Sequence, residues 1–148
     1  MKFNIVNEIK LSYTRRGNSE LVISKSIDAF NIFFEHFDSS EIDYRESFYA
    51  LYLNQAHKVL GIRKISECGI SSALVDVRII LQAALLCNAS AVIIAHNHPS
   101  GNLKPSDEDL KLTAKVKAAS KLLDISLLDH CIITSSAYLS FADEGLLN

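Results

Sequence analysis

Two histidines one residue apart, His96 and His98, stand at the end of an apolar run, Ala91-Val92-Ile93-Ile94-Ala95. In an extended chain, residues two apart point to the same side, so both imidazoles can converge on one point. Imidazole nitrogen binds Zn²⁺ at about 2.0–2.1 Å, and a catalytic zinc usually takes three protein ligands and one water. The third ligand has to be a carboxylate or another histidine. Asp109 is well placed for it, in the first turn of a helix beyond a loop that begins at the histidines. Ser106 and Asp109 also have a simpler reading. Serine followed three residues later by an acid is the helix N-terminal capping pattern. The two readings are compatible, because the helix dipole favours a first-turn carboxylate that can still turn an oxygen to a metal. Taken alone, such a pair of histidines occurs by chance and more often lies on a surface than on a metal.

These side chains need elements to hold them. The apolar run 91–95 reads as a central strand that delivers His96 at its end. Residues 48–53 are almost wholly apolar, as in a strand covered on both faces, and Glu46 stands just before them. Asn54-Gln55-Ala56-His57 reads as a hairpin turn into a second strand over 58–66, with Gly69 in the loop after it. Near the start, Phe3, Ile5, Ile9, Leu11 and Tyr13 share one parity, which predicts a half-buried strand closed by a turn at Arg15-Arg16-Gly17-Asn18. Ser26 is placed to cap a helix carrying Ala29, Phe30, Phe33, Phe34 and Phe37. Asp76 is placed to cap a second helix with Val77, Ile80, Leu81, Ala84 and Leu85 at helical spacing. A polar loop, 97–105, leads to a third helix near Ser106. Its expected buried stripe is Leu112, Val116, Ala119 and Leu123, with Lys104, Lys111, Lys115, Lys117 and Lys121 solvated. Strands over 125–134 and 138–141 complete the chain. That order predicts a mixed α/β sheet flanked by helices.

Composition narrows the function classes. A chain of 148 residues fits one domain, 1–148, with a proper core. Its formal net charge of -2 gives no general field for nucleic acid, although a local basic face remains open. Cys68, Cys87 and Cys131 lie in apolar stretches without a C-x-x-C pattern and read as buried thiols of a reducing compartment. No apolar run reaches bilayer length, and Met1-Lys2-Phe3-Asn4 starts no signal peptide. A cytoplasmic protein without a membrane partner is therefore expected. No P-loop or G-x-G-x-x-G run is present. His36 and His57 read as solvated, and His130, after Asp129, as a core residue or an outer partner of a ligand.

The run His96-Asn97-His98-Pro99, followed by Ser106 and Asp109, resembles the JAMM signature of JAB/MPN-domain metalloproteases. The longer run 96–106, with Leu128-Asp129-His130 and Phe141-Ala142-Asp143-Glu144-Gly145, is similar to the RadC-like branch, from about Phe3 onward. Asn97 departs from the Ser or Thr common in the eukaryotic branch and fits RadC-like proteins. The resemblance implies a cytidine-deaminase-like α/β sandwich. It implies zinc on His96, His98 and Asp109 with a water in the fourth place, Glu46 as general acid and base, and Ser106 as a hydrogen-bond donor to the oxyanion. Zinc can lower the pKa of its water to about 7, and a carboxylate within reach can carry the proton to a leaving amine. Hydrolysis of a peptide or isopeptide bond in a protein or peptide substrate follows. The family is also labelled with DNA repair, which makes a nucleic-acid-binding accessory role the alternative. Full-length RadC-like proteins carry an N-terminal helix-hairpin-helix region, for which this chain is too short. A module that keeps the fold without turnover ranks last, since every expected ligand is present.

Overall fold

A computed structural model describes residues 6–17, 20–67 and 74–148. Its elements run α1 (Ser26–His36), β1 (Ser47–Leu53), β2 (Val59–Glu67), α2 (Val77–Leu86), β3 (Ala91–Asn97), α3 (Asp107–Leu122), β4 (Ser126–Ile133) and β5 (Tyr138–Ser140). The strands form one sheet in the order β2-β1-β3-β4-β5. β3 pairs antiparallel with β1 and parallel with β4. The mixed α/β sheet flanked by helices is therefore as expected, with β3 at its centre.

Residue parity divides the core. Tyr49, Leu51, Leu53, Ile93, Ala95 and Ile133 face α1, where Ala29 and Phe33 meet them. Phe48, Ala50, Tyr52, Val92 and Ile94 face the other way, against Val77, Ile80 and Ala84 of α2 and Val116 of α3. Helices on both faces explain why β1 and β3 are buried at every position. His96 has the parity of Val92 and Ile94, so it emerges on the α3 side.

Pairing direction places the site. Parallel strands β3 and β4 end on the same side of the sheet, where α3 begins before crossing back to the start of β4. Antiparallel β1 begins on that side, with Phe48 opposite His96. Glu46, two residues earlier, is thereby carried beside the histidines.

Three expectations need correction. Residues 6–13 form no strand and are exposed, Val6, Ile9 and Leu11 at 84, 85 and 77%. The edge of β2 is met instead by Leu21–Ile23, through the Val22–Lys58 bridge, and Tyr13 keeps only a hydroxyl bond to the Leu60 carbonyl at 2.5 Å. Ser26 is not the cap of α1. Its hydroxyl donates to Asp143 at 2.6 Å, while the Asp28 carboxylate accepts the Ser24 and Lys25 N–H groups. Phe34 is 40% exposed on that helix. On α3 the buried positions are Asp109, Thr113, Val116 and Ser120, with Leu112 and Ala119 partly buried and Leu123 exposed. Polar groups lie under this helix because the Thr113 and Ser120 hydroxyls donate to carbonyls one turn back, at 2.6 and 2.7 Å.

The other local expectations fare better. Asp76 caps α2 through the Arg78 N–H, and Gly17 takes a left-handed φ of +72° at its turn. The five lysines near α3, and His36 and His57, are exposed. Cys131 is buried and Cys87 half-buried. Cys68, Gly69 and residues 1–5 fall outside the described residues. No helix among the described residues is long and apolar enough to cross a membrane.

Candidate metal centre

His96 Nε2 and His98 Nε2 lie 2.9 Å apart. Asp109 closes the group, with Oδ1 at 3.1 Å from His96 Nε2 and Oδ2 at 3.3 Å from His98 Nε2. Ligands held tetrahedrally at about 2.1 Å around zinc stand about 3.4 Å from one another. The three side chains therefore need to open by only a few tenths of an ångström to take an ion.

Local structure explains the convergence. His96 ends the buried ladder of β3 and is 1% exposed. The His98 N–H still bonds the Ile133 carbonyl, so the extended geometry carries through both histidines. The chain then turns sharply, with Gly101 donating back to the His98 carbonyl at a left-handed φ of +80°. That turn brings the Asn102 carbonyl to within 2.6 Å of His98 Nδ1. A carbonyl only accepts, so Nδ1 donates to it and Nε2 is the ring nitrogen turned to the site. Asp109 is set by both readings of its spacing. Its Oδ2 accepts the Ser106 N–H at 2.8 Å while Ser106 Oγ accepts the Asp109 N–H at 3.1 Å, a complete capping box.

Glu46 stands apart from this trio, with Oε1 4.0 Å from His96 Nε2. Its distance suits an acid or base beside a metal better than a ligand. Burial pushes its carboxyl up from the usual range, against the opposing pull of His96 and His98. For Asp109, burial is outweighed by the hydrogen bonds from His96 and His98, which hold its carboxyl well below the ordinary range. The bond to Asp109 also raises His98. All four groups line one cleft of about 850 Å³, walled also by Tyr44, Leu74, Ser106 and Lys115.

The sequence did not reveal how Glu46 is held. Asn97 is fully buried, with the parity opposite to the histidines. Its Oδ1 accepts the Ser47 N–H at 2.7 Å, and its Nδ2 donates to the Ile42 and Arg45 carbonyls at 2.7 and 2.8 Å. One side chain thus clamps both ends of the turn that carries Glu46. Asn97 was expected in the polar loop 97–105, but β3 runs through it, and a buried amide there needs partners. Thr113 was missed too. It lies four residues after Asp109 and therefore on the same helical face. His130 is fully buried, with Nε2 2.8 Å from His96 Nδ1.

A metal-dependent change in stability follows. Without an ion, the raised His98 contributes stability that is complete below its unfolded pKa of about 6.5 and is lost as pH rises through its folded value. The depressed Asp109 contributes above its unfolded pKa of about 3.9 and loses this only in strong acid. Metal binding runs the other way, because protons must leave the ligands. Melting the protein with Zn²⁺ and with chelator should show a gap that widens from about pH 5.5 to about pH 8. At one hundred times the dissociation constant the ion should add about 2.7 kcal/mol. A gap that narrows with rising pH would contradict this ligand set.

Residues 23–146 match the family model described as the RadC-like JAB domain. The chain is 39% identical over 146 residues to a UPF0758 protein of Flavobacterium johnsoniae, covering 97% of this chain and 62% of that protein. A UPF0758 protein of Porphyromonas gingivalis is 47% identical over 104 residues, 70% of this chain and 46% of the relative. That of Aquifex aeolicus is 37% identical over 131 residues, 88% of this chain and 55% of the relative. The chain thus spans about half to under two thirds of the length of these relatives. With the matched region extending across the sheet, the His-His-Asp group and the glutamate beside it, the chain belongs to the RadC-like JAB-domain family.

Proposed function

We propose that this domain is a zinc-dependent hydrolase of peptide or isopeptide bonds, with His96, His98 and Asp109 as ligands. The observation that carries the reading is the convergence of those three groups beside Glu46 in one cleft. Two imidazoles and a carboxylate form a three-ligand set that suits zinc and leaves one position open. Zinc bound there supplies Lewis acidity and a water of lowered pKa.

The remaining work belongs to the chain's own groups. Glu46, half-buried and raised in pKa, accepts a proton from the attacking water and returns it to the leaving amine. Ser106 Oγ already accepts the Asp109 N–H, which leaves its hydroxyl proton free to donate to a carbonyl oxygen in the cleft. Asn97 keeps Glu46 at its distance. Phe48, ring-to-ring with His96 at 5.9 Å and 10° between planes, shields that imidazole from water.

Elemental analysis or an X-ray fluorescence scan of protein purified without chelator tests the metal, and fluorogenic peptide and isopeptide substrates test the reaction. One zinc per chain and hydrolysis lost to chelator are expected. A protein that takes up no zinc at neutral pH overturns the reading. A nucleic-acid-binding accessory role is the second reading, favoured by the exposed lysines of α3. It predicts salt-dependent DNA binding weakened by substitution of Lys115 or Lys117. Absence of binding at low salt removes it.

A further inference from the structure

The motifs around Asp129 and Phe141 have no part in the chemistry above, yet they converge on His130. Thr113 Oγ1 lies 2.6 Å from the Asp109 backbone carbonyl and 2.6 Å from His130 Nδ1. A hydroxyl has one proton, and a carbonyl oxygen can only accept. The Thr113 proton therefore goes to the Asp109 carbonyl, and its oxygen must accept from His130 Nδ1–H. His130 is fully buried, and its two ring nitrogens meet a hydroxyl and an imidazole rather than a carboxylate, so nothing there balances a second proton. Neutral and protonated on Nδ1, it presents a bare Nε2. The group 2.8 Å away, His96 Nδ1, must then be the donor. With Nδ1 engaged as the donor, Nε2 is the His96 nitrogen left for an ion, directed at His98 and Asp109.

We infer that Thr113 and His130 form a relay that fixes the tautomer of His96, keeping its Nε2 free to ligate an ion. The inference rests on the metal-site reading. The relay starts from the backbone of Asp109, one of the ligands it serves. His130 is itself held fast. The Phe141 ring stacks on it with centroids 4.6 Å apart, and the Phe141 N–H bonds the His130 carbonyl at 2.9 Å. Asp129 ties the same stretch of β4 to the chain end, accepting from the His130 and Ala142 N–H groups and the Ser140 hydroxyl at 2.7, 2.9 and 2.6 Å. The two sequence motifs are thus one device for holding an imidazole that touches no substrate. Thr113 and His130 are positioning residues.

Thr113→Val keeps the side chain's shape and removes the acceptor. His130 then has no partner for Nδ1–H and is free to take the other tautomer, which donates from Nε2 and drives the proton of His96 to its own Nε2. Zn²⁺ affinity, measured by competition with a chromophoric chelator, should fall about 10–100-fold. Thr113→Ser, which restores the hydroxyl, should recover most of it. Two-bond proton–nitrogen correlation spectra of the zinc-free wild type should show His130 protonated at Nδ1 and bare at Nε2. The spectra decide the matter even where Thr113→Val fails to fold. Wild-type His130 protonated at Nε2, or folded Thr113→Val binding Zn²⁺ as tightly as wild type, overturns the relay. A wild type that binds no Zn²⁺ but shows the expected tautomer overturns the metal reading instead.

Discussion

Glu46→Gln should lose about 10²–10⁴-fold or more in amide hydrolysis while retaining Zn²⁺. The substitution keeps the size and hydrogen-bonding reach of the side chain and removes its capacity to take a proton. The Glu46 carboxylate lies 4.0 Å from the nearest ligand nitrogen, so no coordinating atom is lost. A pH profile adds a second readout. Glu46 acts as a base only when ionised, and burial raises the pH at which that happens. The acid limb of kcat/KM should therefore lie above the ordinary glutamate range, and the residual activity of the Gln variant should lack it. Parallel assays of hydrolysis and bound zinc check both points. A variant that hydrolyses normally removes Glu46 from the mechanism, and one that loses zinc makes it a ligand.

Asn97→Leu should cost about 3–5 kcal/mol of unfolding free energy, a large effect for one swap of similar size. The change orphans the Ser47 N–H and the Ile42 and Arg45 carbonyls, all at the buried edge of the sheet. An orphaned buried polar group costs about 1–3 kcal/mol. Urea titration should show a lower midpoint at unchanged slope, since the native surface is unchanged. A loss under about 1 kcal/mol would mean that the turn finds other partners. Asn97→Asp discriminates further. It keeps the acceptor for Ser47 but faces two carbonyls with a carboxylate, so it should also be destabilised.

What the sequence reveals depends on the range of the interaction. His96, His98, Ser106 and Asp109 lie within one strand, one turn and one helix start, where period and capping chemistry dictate geometry. The strand and helix identities of 91–95 and 76–86 are legible on the same grounds. Glu46 is different. It reaches the site through the antiparallel register Phe48–His96, across 48 positions of sequence, and composition does not encode register. Only the resemblance pointed to it. The missing strand over 6–13 shows the converse. Its alternation is intact, but alternation alone builds no strand without a pairing partner, and the bridge beside β2 is made by Val22 instead. On α3, counting apolar residues selected Leu123 and passed over Thr113 and Ser120, because the helix buries hydroxyls that satisfy themselves on its own carbonyls.

The capping box at the start of α3 has a thermodynamic corollary. Asp109 Oδ2 serves the Ser106 N–H and faces the ion site with the same atom. Order in that first helical turn and occupancy of the site are therefore two faces of one equilibrium, and their influence is reciprocal. An ion tightens the turn, and anything that tightens the turn raises affinity for the ion. Opening it withdraws a ligand, the Ser106 donor and the carbonyl that anchors Thr113 together, so the site is lost as a unit.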